Sequence, residues 1–514
     1  MKINKFDNIS ERRDNVKRGK IALKNISSNL ILQLVIIISG FIMPKLLIST
    51  YGSDTYGLVA SITQFLSFII LLEAGIGPVI KSKLYKYIAK DDKHHIKLIL
   101  KEADKFFKKI GLVFIAYVII LCLVFPYINS EFDGLFSAGI ILIMATSTLV
   151  EYFFGIVYNL YLQADKKYYV TSYAQIFCYI FNILLVVILI HFNASIFVVK
   201  IANAIAFIIK PAFQIMYVKK KLNMSFKDEP GECKIENKFD GLSQHVAYMI
   251  NSNTDITILT FFSNLATVAV YSVYNLVGTA IKNVSDALTN SMDSIFGDMA
   301  ARGEKESLQR SFTIYEFIYY TIALILYICS VILIVPFVRI YTSGITDANY
   351  IEPIFGYILI TACFFSCAKS IYANLIYSMG YFKQTNFICW IEAISNIVIS
   401  ICLVIKFGIV GVAIGTLVSA IIRYLYFSYY ASKNCINRNK NITTKWFIIS
   451  TLLFTLFAFI TNNINIYTPT NYFNWAIYAF VVLIIVSIVV ILVNIIFNYK
   501  AFKEVIKYIE EKRK

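Results

Sequence analysis

Stretches of about 20 apolar residues recur along almost the whole chain, and they constrain the fold more than any other feature of the sequence. A helix of about 20 apolar residues crosses the hydrocarbon core of a bilayer. The sequence therefore predicts an all-α polytopic membrane protein of about fourteen transmembrane helices, joined mostly by short connections. The predicted spans begin near Asn29, Thr55, Lys109, Phe136, Tyr169, Ser195, Leu242, Ala266, Phe312, Pro353, Gln384, Gly408, Trp446 and Phe473.

The composition supports this class of protein. Of the 514 residues, 58% are hydrophobic and 15% are charged, whereas a soluble domain carries about 25% charged residues and about 45–50% apolar ones. A large soluble domain is therefore excluded. The polar and basic N-terminus lacks the short apolar core of a signal peptide, so we expect the first span to be the insertion signal.

Lys and Arg concentrate in alternate connections between the predicted spans. By the positive-inside rule, this alternation predicts an even number of spans with both termini in the cytoplasm. It also explains the net charge of +17 without nucleic acid, because the basic side chains form a layer at the cytoplasmic membrane surface. The basic runs are Met1–Ser28, Lys81–Lys109, Lys166–Lys167, Tyr217–Lys238, Arg302–Arg310, Lys383, Lys433–Lys445 and Lys500–Lys514.

The longest hydrophilic connection divides the chain after six spans. The two halves of the chain show a weak sequence similarity, in which Asn182 and Asn396 fall at corresponding depths of their spans. This similarity predicts a parallel repeat, related by an axis along the membrane normal. Chance similarity among apolar helices stays open as the alternative. The predicted segments are a basic cytoplasmic N-terminus (1–28), an N-lobe of six spans (29–217), a cytoplasmic linker (218–240), a C-lobe of six spans (241–431), two additional spans (446–497) and a basic cytoplasmic tail (498–514).

Charged side chains inside the predicted spans are the main functional signal. A charge at the centre of a membrane helix costs roughly 2.5–3.5 kcal/mol on the insertion scale, so it rarely faces lipid. The large number of charged residues implies a polar cavity or internal pairing within a helical bundle. A polar cavity in such a bundle is the expected shape of a transporter. They are Lys45, Glu73, Glu151, Lys200, Lys210, Asp255, Lys282, Asp286, Asp293, Lys369, Glu392, Arg423 and, near a helix exit, Asp298.

Two predicted helices carry polar stripes. In the seventh span, Asp255 is a candidate ion or proton site, and the equally open alternative is a structural partner for a lysine on another helix. In the eighth span, Lys282 is either a cavity cation or the i,i+4 partner of Asp286. The spacing predicts one helical face for Tyr271, Asn275, Gly278, Lys282, Asp286, Thr289 and Asp293.

The charged residues suggest the chemistry of the ligand. Buried cations attract a phosphate or diphosphate strongly, because a site inside the membrane has a low dielectric constant. A binding site for organic cations would instead favour acids and aromatic residues. The candidate substrate-binding cations are Lys282, Lys369, Arg423, Lys45 and Lys200, with Lys210 as a sixth buried cation, and the candidate ion-coupling or cavity acids are Asp255, Asp286, Glu151 and Asp293.

The sequence contains no catalytic or metal-binding signature. There is no P-loop, HExxH or GxSxG motif, and no cluster of metal ligands. Cys363 and Cys367 share a helix face without nearby His, which favours packing over metal binding. We therefore predict neither an enzyme nor a cofactor. After Glu73, the segment AGIGP is expected to loosen or kink the second span.

The chain resembles the MOP exporters (multidrug, oligosaccharidyl-lipid and polysaccharide), and among them the Wzx-type polysaccharide flippases. The resemblance covers the whole length. It depends on TYGLVASITQFLSFIILLEAGIGPVI in span two and on NSNTDITILTFF and VAVYSVYNLV in spans seven and eight. It implies two six-helix lobes that flip undecaprenyl-diphosphate-linked oligosaccharide repeat units by alternating access, for capsule or O-antigen. Central cations bind the lipid diphosphate in such proteins, and Lys282 and Lys369 would be the nearest candidates.

The resemblance also implies the setting of the protein. We expect a monomer in a bacterial cytoplasmic membrane, in contact with membrane lipids and with a polysaccharide polymerase or glycosyltransferases as possible partners. Two alternatives within the superfamily are a lipid II flippase and an ion-coupled multidrug exporter. A membrane glycosyltransferase or polymerase is the alternative of another class, and the lack of a long outer loop counts against it.

Overall fold

The computed structural model describes the backbone of residues 3–73, 75–221, 242–290, 292–463 and 467–513, and all of its regular structure there is helical. The predicted all-α fold is confirmed. The first nine helices are α1 (Ile3–Tyr51), α2 (Ser53–Ser67), α3 (Ile70–Glu73), α4 (Ile76–Ile88), α5 (Lys93–Ile128), α6 (Gly134–Val150), α7 (Ile156–Ala164), α8 (Tyr168–His191) and α9 (Ile196–Lys221). The other nine are α10 (Leu242–Phe262), α11 (Leu265–Asn290), α12 (Asp293–Ala301), α13 (Lys305–Tyr341), α14 (Pro353–Ser378), α15 (Asn386–Tyr430), α16 (Asn441–Asn463), α17 (Tyr472–Phe497) and α18 (Tyr499–Arg513).

Twelve helical segments of the described chain are long and apolar enough to cross a membrane. Two features separate this number from the predicted fourteen. One segment, Lys383–Cys435, is 53 residues long and holds two predicted spans, because a break at Gly408 (φ 54°, ψ −133°) interrupts α15. The predicted seventh span forms α10, whose many polar residues lower its hydropathy.

The predicted kink after Glu73 is confirmed. The second span is α2 and α3, and α4 starts only at Ile76, after Gly75 with φ +81°. A left-handed backbone of this kind is cheap only for glycine. The second span thus ends at Glu73, and α4 continues as a separate helix.

The described residues form two compact units. In the first unit (residues up to Tyr51 and Ser61–Met249), α8 packs on α1 and α9, and α6 packs on α5 and α9. In the second unit (Gly52–Ala60 and residues from Ile250 on), α14 packs on α11, α13 and α15, while α16, α17 and α18 all contact α13. The predicted boundaries of the lobes stay a prediction. The predicted linker 218–240 lies, from residue 222 on, outside the described residues.

A buried ion pair fixes the start of the additional helices on the second unit. Arg438 precedes α16 and donates from Nη1 and Nη2 to the two carboxylate oxygens of Glu316 on α13, at 2.6 Å each. Tyr372 donates to the same carboxylate at 2.6 Å, and Arg438 Nε donates to Ser432 at 3.1 Å. The charged side chains are only 3% and 2% exposed. The sequence analysis did not identify this pair.

Candidate functional site

A group of charged side chains in the second unit is centred on Glu392. This carboxylate is fully buried on α15 and accepts from Lys369 Nζ on α14 through one oxygen and from Arg423 Nη1 through the other. The Arg423 guanidinium also lies 4.8 Å from the ring centre of Phe427. Glu392 and Arg423 belong to opposite halves of α15, so the break at Gly408 lets one helix return and supply both partners.

Lys282 and Asp286 on α11 extend this group. Both are half-buried, and the Asp286 carboxylate interacts electrostatically with Lys282 and also with Lys369. We call Lys282, Asp286, Lys369, Glu392 and Arg423 the cationic cluster. Its three cations and two carboxylates leave a formal charge of +1. The structure thus brings three of the predicted substrate-binding cations together. A net positive group in a helical bundle is suited to attract an anion.

The predicted stripe on the eighth span is shorter than expected. The bond from the Met292 amide to the Thr289 carbonyl is an i→i−3 turn that ends α11 at Asn290, and Asp293 starts α12. The inclusion of Asp293 in one continuous helical stripe is therefore wrong, and its side chain lies outside the described residues. Tyr271, at the other end of the stripe, is buried inside the second unit and donates to Asp255.

Asp255 occupies a separate polar site that is rich in oxygen atoms, and the Asn396 amide nitrogen also donates to its Oδ1 at 3.5 Å. Its Oδ2 accepts from Tyr271 at 2.8 Å, and Thr416 Oγ1 lies 2.9 and 2.8 Å from its two oxygens. The Asn396 amide oxygen lies 3.1 Å from Ser400 Oγ and 3.4 Å from Thr416 Oγ1. The backbone carbonyl of Val412 lies 3.2 Å from Thr416 Oγ1 and 3.4 Å from Ser400 Oγ, which completes the group.

The close approach of the two halves of α15 produces this arrangement. A Cβ atom on Gly415 would lie 2.1 Å from Ser400 Oγ, so only glycine fits beside it. We call the group the Asp255 site. It holds one carboxylate, and no ion pair to Asp255 occurs in the part of the chain that the structure describes. Hydroxyl, amide, carboxylate and carbonyl oxygens are ligands for hard cations. One monovalent cation or one proton would balance the single negative charge of this carboxylate.

The first unit contains a separate polar cavity of about 590 Å³. Four of the predicted charged residues line it, namely Glu73, Glu151, Lys200 and Lys210. Glu151 and Lys210 form an ion pair at 3.1 Å, and Tyr152 donates to Glu73. Lys45, half-buried on α1, is not among the residues that line this cavity.

Sequence reasoning missed several members of these sites. Thr416 and Ser400 carried no signal, because 161 residues separate Thr416 from Asp255. The sequence indicates Asn396 only through the weak similarity between the two halves of the chain. Glu392 was recognised as a membrane charge, but the sequence did not show that two cations share it.

Comparison with known proteins identifies the fold. No protein-family model and no curated protein sequence matches the chain. An inward-facing multidrug resistance MATE family transporter of the MOP superfamily matches with a TM-score of 0.63 at 16% identity, over 78% of this chain and 98% of that one. The lipid II flippase MurJ, in an inward closed conformation, matches with a TM-score of 0.65 at 15% identity, over 94% and 99%.

A MOP superfamily transporter from Pyrococcus furiosus also matches, with a TM-score of 0.52 at 14% identity, over 82% of this chain and 95% of that one. These identities are low, so the likeness concerns the fold alone. It agrees with the fold that the predicted resemblance implies, whereas the Wzx-type assignment stays a prediction. The chain is a multi-pass membrane protein with the fold of MOP superfamily transporters.

Proposed function

We propose that this protein flips an undecaprenyl-diphosphate-linked oligosaccharide repeat unit across a bacterial cytoplasmic membrane. The observation that carries the proposal is the cationic cluster, with a formal charge of +1, in a chain with the MOP fold. A lipid diphosphate brings two to three negative charges into a low-dielectric site, where cations stabilise it. Alternating access of two lobes would then carry the polar group across.

Within the cluster, Lys282 is the best candidate to contact the diphosphate. Lys369 and Arg423 both bind the buried Glu392 directly, so part of their charge is already neutralised. Lys282 is half-buried on α11, and the Asp286 carboxylate interacts with it electrostatically. A diphosphate that contacts Lys282 leaves the ion pairs of Glu392 with Lys369 and Arg423 intact.

The Asp255 site supplies a way to drive the cycle. A monovalent cation there would neutralise the buried carboxylate and replace the present hydrogen bonds with metal–oxygen contacts. Because the ligands belong to α10 and to both halves of α15, binding would fix these elements relative to each other. Such differential stabilisation of one conformation is what a coupling ion must provide.

The same fold supports two rival functions. A lipid II flippase would share a need for cations near an anionic headgroup, and the neighbour MurJ covers almost the whole chain. An ion-coupled multidrug exporter fits less well, since a cluster of charge +1 repels an organic cation. The substrate distinguishes these functions: a repeat-unit flippase restores a surface polysaccharide, whereas a lipid II flippase restores cell-wall synthesis.

The experiment replaces the endogenous flippase of a capsule-producing bacterium with this protein and measures the surface polymer. Lys282→Ala should abolish the polymer at normal protein level, while Lys282→Arg should retain part of it, because the charge remains. Lys406→Ala is the matched control, since Lys406 is an exposed lysine of α15. It should leave the polymer unchanged.

The double variant Lys282→Ala with Asp286→Ala separates binding from pairing. If Lys282 only neutralises Asp286, removal of both charges leaves no unpaired group and should restore much of the polymer. Such recovery would contradict the proposed contact with the diphosphate. Rescue of cell-wall synthesis without any polymer would favour the lipid II function instead.

A further inference from the structure

The cavity of the first unit is built where its helices lose regular geometry. A π-helical turn at Glu151–Gly155 follows α6 directly, and α2 stops at Ser67 before the short α3. Pro211 on α9 packs against this turn, since a Cβ atom on Gly155 would lie 2.8 Å from the Pro211 side chain. π-helical turns are rare and often occur at functional sites. The irregularities open a space of about 590 Å³, within the usual range of ligand pockets.

One buried cation of this cavity makes no direct ion pair in the part of the chain that the structure describes. Lys200 is 8% exposed and lines the cavity, and no hydrogen bond or ion pair to it occurs in the described part of the chain. The other lysine, Lys210, is already paired with Glu151 at 3.1 Å. A buried charge is costly unless a partner compensates for it. An anionic group of a ligand would compensate for the ammonium of Lys200.

The remaining polar lining is neutral, apart from Glu73. Hydroxyl and amide side chains can both donate and accept, which matches the hydroxyl groups of a sugar. Glu73 accepts from Tyr152, and a carboxylate with two oxygens has room for a further hydroxyl donor. Phe207 and Tyr152 add aromatic surface. The neutral polar residues are Thr63, Ser67, Ser147, Thr148, Gln175 and Asn203.

We propose that this cavity binds one acidic sugar unit of the lipid-linked glycan, with the sugar carboxylate at Lys200 and the hydroxyl groups at Glu73 and the neutral polar side chains. The inference rests on the proposed function and deepens it, because it assigns a charge to the glycan. A phosphate ion is the other possible source of an anion. The cavity is much larger than a phosphate ion needs, and its many hydroxyl and amide groups favour the sugar.

The test measures binding to the purified full-length protein in lipid nanodiscs by saturation-transfer NMR. The probes are methyl glucuronide, methyl glucoside and inorganic phosphate. The glucuronide should bind at least about tenfold more tightly than the glucoside, because only its carboxylate engages Lys200 through a charge-assisted hydrogen bond. Lys200→Met should remove this preference and Lys200→Arg should keep it. Lys90→Met, at an exposed lysine, is the matched control.

Equal binding of glucuronide and glucoside by the unmodified protein would overturn the proposal. Displacement of the glucuronide by equimolar phosphate would also overturn it and would assign the cavity to a phosphate. An unchanged preference in Lys200→Met would exclude Lys200 as the anchor. The comparison of probes needs no variant, so it decides the question even if Lys200→Met does not fold. Since this assay involves no transport step, a negative result leaves the proposed flippase function standing.

Discussion

Removal of one partner from the buried ion pair between Glu316 and Arg438 should be among the most destabilising single changes in the second unit. Replacement of Arg438 by Met keeps the aliphatic stem but leaves the Glu316 carboxylate, 2% exposed, without its cation. Removal of one partner from a buried pair costs about 3–5 kcal/mol. Glu316→Gln should cost a similar amount, because it leaves the guanidinium buried.

The double variant should recover most of this loss. With both charges gone, no ion is left uncompensated. The amide oxygen of Glu316→Gln can still accept from Tyr372, so the remaining cost is the lost hydrogen bond from Arg438 to Ser432, about 0.5–1.5 kcal/mol. The two single costs sum to about 6–10 kcal/mol, so the interaction free energy between the two positions in a double-mutant cycle should exceed about 3 kcal/mol. Each single variant should therefore have a lower free energy of unfolding than the double variant.

The assay is equilibrium unfolding in mixed detergent micelles, followed by tryptophan fluorescence. Trp446 is a local probe, because its ring stacks on Tyr320 with ring centres 4.4 Å apart, and Tyr320 lies in the same buried network. Arg310→Met is the matched control. Arg310 pairs with Glu504 and Glu511 at 3.0 and 2.9 Å, but these side chains are 37–46% exposed. Its loss should therefore cost much less than the loss of Arg438, because water screens exposed ion pairs. Equal costs for Arg438→Met and Arg310→Met would refute the reasoning.

Three further predictions follow from particular contacts. Gly57→Ala should destabilise the protein strongly, because the added Cβ atom would lie 1.9 Å from the backbone oxygen of Leu265. Gly40→Ala should be tolerated, because its Cβ atom would meet no atom of another element within 4 Å. Similar melting temperatures for the two variants would contradict this packing. Sodium that binds at Asp255 should raise the melting temperature of the unmodified protein by mass action. Asp255→Asn should abolish this increase, and Asp286→Asn should keep it. An equal increase in Asp255→Asn would exclude the cation site. The orientation can be tested with single cysteines in a background without native thiols. Cysteines at Glu131 and Thr468, in predicted outer connections, should label on intact cells, whereas a cysteine at Lys220 should label only after permeabilisation. The reverse result would overturn the predicted orientation.

The transmembrane helices could be predicted from the sequence because each depends on a local run of apolar residues. The kink after Glu73 was equally local, since it follows from the glycines and the proline beside it. The end of α11 was missed, because polar residues continue at helical spacing past Asn290 and nothing in the pattern marks the turn. Periodicity describes neighbours along one helix and therefore cannot show where that helix stops.

The partners of the buried charges could not be predicted, because they lie far apart in the chain. Glu316 meets Arg438 across 122 positions, and Glu316 was not recognised as a buried charge at all. It lies near the start of α13, where the sequence also fits a helix end at the membrane surface. Lys369 and Arg423 were both identified as buried cations, but their common partner depends on the return of α15 at Gly408. Helix packing, not spacing, determines which charges compensate each other.

Transbilayer movement of a defined substrate by the purified protein tests the central proposal most directly. Proteoliposomes would contain a fluorescent undecaprenyl-diphosphate-linked oligosaccharide, and a membrane-impermeant quencher would report how much of it reaches the outer leaflet. We predict quenching of nearly all the label with the unmodified protein, of only the outer half with Lys282→Ala, and of nearly all with Lys406→Ala. Quenching of only half the label with the unmodified protein, together with transport of lipid II or of an organic cation, would contradict the proposed function.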